Sequence, residues 1–295
     1  MSNSTGPRPR TFLSSFIDLF SMPLLFGTAG IPISTEERNT INGIRQVRKL
    51  DLDAMELEFV QSVNISKEKT IDVRKAAKDF DVLLTCHAPY YINLNSLDKA
   101  KLEASKQRLL NAARIANLCG AWSVAFHPAF YHKMNPEQVY KKVKQELADV
   151  LSILNNEDNK IWIRPEVMGR TFQFGTLQET IKLSQELEHV LPCVDFGHLH
   201  AREGKYNTYD EFSAALGLIE KSLGKDALNN MHIHIEGIEY NDKGERFHKE
   251  LDDSDMNYQD LVKAWKEFRI EGVVISESPN IEKDVMMLKG IYSRS

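Results

Sequence analysis

A chain of 295 residues with 42% hydrophobic content can bury a core large enough for one α/β barrel or two ordinary domains. Its net charge of −5 gives no whole-molecule attraction to nucleic acid, so any DNA contact needs a local patch or metal ions. The three cysteines, Cys86, Cys119 and Cys193, form no close pair, which argues against a disulfide scaffold and for a reducing, cytoplasmic setting.

The first ten residues are rich in Ser, Pro, Gly and Arg and read as disordered. Residues 12–26 are more apolar, but Asp18 interrupts them and no small-residue cleavage site follows. They are expected to form a helix against the main body rather than a secretory signal. The division expected is an N-terminal extension over 1–20 and a catalytic body over 21–295. No stretch has the length needed to span a bilayer, so no membrane partner is expected.

From Pro23 onward, short apolar runs alternate with longer amphipathic ones. Strands are predicted over 23–27, 54–59, 82–87, 122–127, 161–166, 190–195, 230–235 and 272–277. Helices are predicted over 36–48, 66–78, 96–118, 136–154, 176–189, 209–223, 258–268 and 281–291. In the third helix Ser96 is the expected cap and Gly120 the expected stop. Eight strand–helix units without a composition break predict a single (β/α)₈ TIM barrel. No Gly-rich fingerprint follows the first strand, so a dinucleotide-binding sheet has little support.

The centre of the chemistry is Cys193-Val194-Asp195-Phe196-Gly197-His198-Leu199-His200-Ala201, where an apolar strand stops at a carboxylate and an imidazole follows three residues later. Alone, Asp195 and His198 could be a structural turn. The other strands repeat the pattern. The third ends at His87, the fourth at His127, the fifth at Glu166, the sixth at Asp195 and the eighth at Glu277, while the seventh carries His232 and His234. In a barrel these ends meet at one mouth, where such enzymes build their sites. Several histidines with three carboxylates and no thiolate suit Zn²⁺, with Mn²⁺ as the alternative. More candidates than one ion can use imply at least two ions with a bridging carboxylate, a set suited to phosphoester hydrolysis.

Five motifs carry a resemblance. His87-Ala88-Pro89-Tyr90-Tyr91-Ile92-Asn93-Leu94, Phe126-His127-Pro128, Pro165-Glu166-Val167-Met168-Gly169, Val194-Asp195-Phe196-Gly197-His198 and Glu277-Ser278-Pro279-Asn280 resemble endonuclease IV, the zinc-dependent AP endonucleases of the xylose-isomerase-like barrels. The resemblance runs from about Leu24 to Leu288. It implies a trinuclear zinc site that cuts DNA on the 5′ side of an abasic sugar. By motif position, His87, His127 and Glu166 would hold one zinc. Glu166, also the catalytic candidate, would bridge to a second zinc held by Asp195, a seventh-strand histidine and Glu277. His198 would hold the third. Of the two seventh-strand histidines His234 is favoured, being nearer the C-terminal end. Tyr90 matches the tyrosine that helps open the duplex. The partner implied is DNA with abasic sites, bound by a monomer with two or three zinc ions.

The sequence departs from that pattern in three places. The second-strand loop, Phe59-Val60-Gln61-Ser62-Val63-Asn64, offers no arginine to DNA. The first strand runs into Phe26-Gly27-Thr28-Ala29-Gly30 without the family's histidine. The third-zinc Asp-x-His is replaced by Glu245-Arg246-Phe247-His248, so His248 is expected to bind with Glu245 as substitute carboxylate. With Glu245 placed in a loop, the third ion should be the most weakly held. The alternative function is a sugar isomerase or epimerase on the same barrel, using one divalent ion between Glu166 and Glu277.

Overall fold

The computed structural model describes residues 23–294, so the expected N-terminal extension lies outside the described residues. Eight strands form one parallel sheet: Leu24–Ala29, Ala54–Glu58, Leu83–His87, Ser123–Phe126, Trp162–Pro165, Cys193–Asp195, Met231–Ile235 and Gly272–Ser276. Numbered in chain order, they lie 5-4-3-2-1-8-7-6. The fifth and sixth strands meet through the parallel bridges Ile163↔Val190 and Glu166↔Cys193, and Val167 N donates to Cys193 O at 3.0 Å. The predicted barrel is therefore present and closes at this seam.

Period-two alternation decides what each strand buries. In the second strand Met55 and Leu57 join the large core between strands and helices, while Ala54 joins a small separate cluster with Val273 and Ile275, against Leu25, Leu83 and Trp122. Arg164 is fully buried at the N-terminal end of the barrel. Its guanidinium stacks over Trp122 at 4.8 Å and donates to Asn230 O at 2.9 Å. Apolar filling thus occupies only the lower barrel, and Glu56, Glu58, Asp195, His232 and His234 sit in the wall above.

The helices follow the prediction with shifted ends. The helix Tyr209–Leu223 falls where the periodicity put it. The first and second begin later, at Thr40 and Thr70. The third, Lys99–Cys119, is capped by Asp98, which accepts from Ala100 N and Lys101 N; the hydroxyl of Ser96 instead donates to Asp98 O. Gly120 ends it at φ 79°, as expected. Among the described residues, the features not predicted include the helix Phe196–Glu203, the short helices Lys225–Leu228 and Leu251–Asp253, the short pair Ala129–Phe130 with Gln173–Phe174, and the hairpin Gly237–Asn241 with Gly244–Lys249. Among the described residues no helix is long and apolar enough to cross a membrane.

Candidate metal centre

The mouth gathers its side chains by register. Parallel pairing sets Asp195 beside His234, and Glu58 beside His87. Glu166 is fully buried at the seam, and its two oxygens face different neighbours. Oε2 lies 3.0 Å from His87 Nε2 and 3.3 Å from His127 Nε2. Oε1 lies 3.1 Å from His198 Nδ1 and 3.8 Å from His234 Nδ1. His234 Nδ1 also approaches Glu277 Oε1 at 3.4 Å.

The helix Phe196–Glu203 explains the Asp-x-x-His spacing. Asp195 is its N-cap, with Oδ1 accepting from His198 N at 2.6 Å, which leaves Oδ2 3.1 Å from the His198 ring. Gly197 is required next to it, because a Cβ there would lie 2.1 Å from Glu236 Oε1.

Glu245 is not in a loop. It lies on the hairpin strand Gly244–Lys249, and its N–H donates to Gly169 O at 3.1 Å. The hairpin is seated on the loop after the fifth strand, where the Cβ of any residue replacing Gly244 (φ 91°) would lie 2.1 Å from Gly169 O. His198 Nε2 is 3.4 Å from Glu245 Oε2, and His248 Nε2 is 3.9 Å from Glu245 Oε1. His248 is therefore turned to the cluster rather than to solvent, and Arg170 pairs with Glu245 at 3.3 Å from outside.

The donor atoms fit divalent ions. His87 Nδ1 is bonded to Ala88 O at 2.8 Å, His198 Nδ1 to Val167 O at 3.1 Å and His248 Nδ1 to Glu277 O at 3.3 Å. A carbonyl only accepts, so each Nδ1 carries the proton and each Nε2 turns its lone pair to the carboxylates. This is how a main-chain carbonyl orients a metal-binding imidazole. Glu166 Oε1, Asp195 Oδ2 and His234 Nδ1 are buried at ion-pair distance from neighbours but make no hydrogen bond of acceptable geometry. The groups whose ligand atoms lie within 4.8 Å of one another include His87/His127/Glu166, Glu166/Asp195/His234 and His198/Glu245/His248. Every predicted ligand falls in one of these groups except Glu277, which groups with Glu56 and His234.

Carboxylates and imidazoles shift one another at the mouth. Burial pushes Glu166 up, but the imidazoles of His127, His198 and His234 outweigh it and hold its carboxyl well below the usual range. Burial, with the charge of Glu56 beside it, raises Glu58 to about 8. Burial also drives Glu236 well above the carboxylate range, next to Asp195.

Glu56, Glu58 and Glu236 were missed by the sequence reading. The signal for the first two was present: acids alternate with Met55, Leu57 and Phe59, so they share the inner face. His232 lies below the mouth, with Nδ1 3.0 Å from Ser123 Oγ and Nε2 3.1 Å from Glu56 Oε2. Of the seventh-strand pair, His234 faces the mouth. Tyr90 lies at the rim, 42% exposed, stacked on His127 at 5.1 Å and edge-on to His87.

Residues 44–290 match the family described as xylose isomerase-like TIM barrel. The chain belongs to that family. Within it, the chain is 42% identical over 273 residues to an uncharacterized protein of Methanocaldococcus jannaschii, covering 92% of this chain and 97% of that one. It is 27% identical over 157 residues to a probable endonuclease 4 of Oceanobacillus iheyensis, a match spanning 51% of each chain. Among solved structures, endonuclease IV from Thermus thermophilus superposes with a TM-score of 0.72 at 16% identity, covering 91% of this chain and 97% of that one. A D-tagatose 3-epimerase-like protein superposes with a TM-score of 0.65 at 18% identity, covering 92% and 96%. At such identities the likeness is one of fold, and barrels of one fold host unrelated chemistries.

Proposed function

We propose that this chain is a metal-dependent phosphodiesterase that cuts DNA on the 5′ side of abasic sites. The observation that carries the reading is the split of Glu166, whose one oxygen faces His87 and His127 while the other faces His198 and His234. A carboxylate in that position serves two cations at once. His87 and His127 would hold the first ion with Glu166. Asp195, His234 and Glu277 would hold the second. His198, Glu245 and His248 would hold a third. Zinc suits the nitrogen and oxygen donors, and when bound such ions supply Lewis acidity that activates water and stabilises charge on the phosphate oxygens.

The remaining work falls to the chain. Glu166 fixes the spacing of the two groups, and the hydrogen bonds from His87 and His198 to main-chain carbonyls hold their rings in place. Tyr90, stacked on His127, offers an aromatic face at the rim to an unstacked base. The missing arginine of the second-strand loop has a counterpart on the other side of the mouth. Exposed Lys243 and Arg246 on the hairpin supply local positive charge with which a net negative protein can meet a phosphate backbone.

A second reading, epimerisation of a sugar with one divalent ion, is favoured by the carboxylates of fully buried Glu56 and half-buried Glu58. Both line a cavity of about 260 Å³ beside the second strand. Under that reading the His87/His127 pair has no task. Incubating the zinc-loaded protein with a duplex holding one abasic site, and separately with ketohexoses, decides between them. The phosphodiesterase reading expects a nick 5′ to the lesion and no epimer; epimer formation without a nick rejects it.

A further inference from the structure

Below the mouth lies a second cluster, of which the proposed chemistry uses only His234. Glu56, Cys193, His232 and His234 converge from the second, sixth and seventh strands and are fully buried. The Cys193 thiol and one ring nitrogen each of His232 and His234 lie within 4.8 Å of one another. Glu56 Oε1 is 2.9 Å from His234 Nε2, and its Oε2 is 3.1 Å from His232 Nε2. Despite these distances, both Glu56 oxygens, His232 Nε2 and both nitrogens of His234 lack a hydrogen bond of acceptable geometry. Unpaired polar atoms are costly in a dry interior, and several converging on one point are satisfied together by a cation.

We propose that this cluster is a separate, closed metal site in the barrel core, binding Zn²⁺ or a similar ion through Glu56, Cys193, His232 and Nε2 of His234. Two nitrogens, one sulfur and one oxygen are a tetrahedral zinc donor set with no open position. The carboxylate and the thiolate together balance a divalent charge, so the buried site carries little net charge. Ser123 Oγ, 3.0 Å from Nδ1 of His232, holds that ring so that Nε2 faces Glu56. His234 faces the core site with Nε2 and the mouth with Nδ1, so it stands between the two. Binding through sulfur would release the proton of the Cys193 thiol to solvent. Glu56 also borders the cavity whose walls include Gly30, Arg38, Glu58 and Asn64.

The mouth donors include no sulfur, which makes the core site spectroscopically separable and its test independent of any activity on DNA. The full chain is stripped of metal, loaded with Co²⁺ to saturation and scanned in the near ultraviolet, with ion content measured in parallel. The expected result is a sulfur-to-cobalt charge-transfer band that is lost in Cys193→Ser, with Cys193→Ser and His232→Gln each holding one ion per chain fewer than wild type. Absence of the band from saturated wild-type protein, a measurement that needs no variant to fold, overturns the site. So does a band that persists in Cys193→Ser. Failure to cleave abasic DNA alongside a positive cobalt spectrum would reject the phosphodiesterase reading and leave the core site standing.

Discussion

Glu166 is the residue on which the mouth depends, because it is fully buried and its two oxygens divide between the His87/His127 pair and the His198/His234 pair. Glu166→Gln keeps the shape and removes the anion, so turnover on abasic DNA should fall by about 10²-fold or more. Circular dichroism should be unchanged, since the side chain packs into a cluster rather than a helix or strand contact. Activity within a few-fold of wild type, at normal metal content, would show that the bridge lies elsewhere. Tyr90 tests the rim. Tyr90→Ala should weaken binding to an abasic duplex by roughly 1–3 kcal/mol, the worth of one stacking contact. Equal affinity and rate in a titration would make the ring a packing residue over His127. At this scale the sequence was legible wherever a ligand-type residue ended an apolar run, as at His87, His127, Glu166 and Asp195. It was less so where the acid stood inside a strand, as at Glu56: alternation put that side chain on one face with Glu58, but only barrel closure shows that this inner face is polar.

At the scale of elements, the helix Phe196–Glu203 and the hairpin Gly237–Lys249 carry what the strand pattern could not show. Asp195 followed by an apolar turn and ended by Gly204 is a readable helix signal, obscured by reading the segment only as a ligand motif. The hairpin turns within Asn241-Asp242-Lys243-Gly244, a turn composition that was equally present. What the sequence could not give is its docking onto Gly169, a contact far away in the chain. Because that docking fixes Glu245, the third group should be more rigid than a loop placement implies. Gly244→Ala combines a disfavoured φ with a clash against Gly169 O. It should cost the ion held by His198, Glu245 and His248 while sparing the others. His248→Ala should do the same by removing a ligand. Elemental analysis of both variants checks this, and a full complement of ions in either would detach the hairpin from metal binding.

For the whole molecule, the barrel was legible because eight apolar runs alternate with amphipathic ones, and each needs the next to bury its faces. The shifted helix starts have a local cause, since Asn39 and Asp98 cap later than the periodicity alone suggests. Folding also collects Glu166, Asp195, Glu245, Glu277 and their histidines around one opening, a donor arrangement that bound cations stabilise and unfolded chains do not offer. An ion present at about a thousand times its dissociation constant adds about 4 kcal/mol, so chelation should lower the melting temperature by roughly 10 °C. A calorimetric scan with and without chelator measures it, and an unchanged midpoint would mean the fold does not depend on the ions. The most direct measurement of the central claim is anomalous diffraction at the zinc edge from crystals of the zinc-loaded protein. The account predicts two peaks flanking the Glu166 carboxylate, each about 2.0–2.2 Å from one of its oxygens. A single peak at the mouth, or none in contact with Glu166, would contradict it.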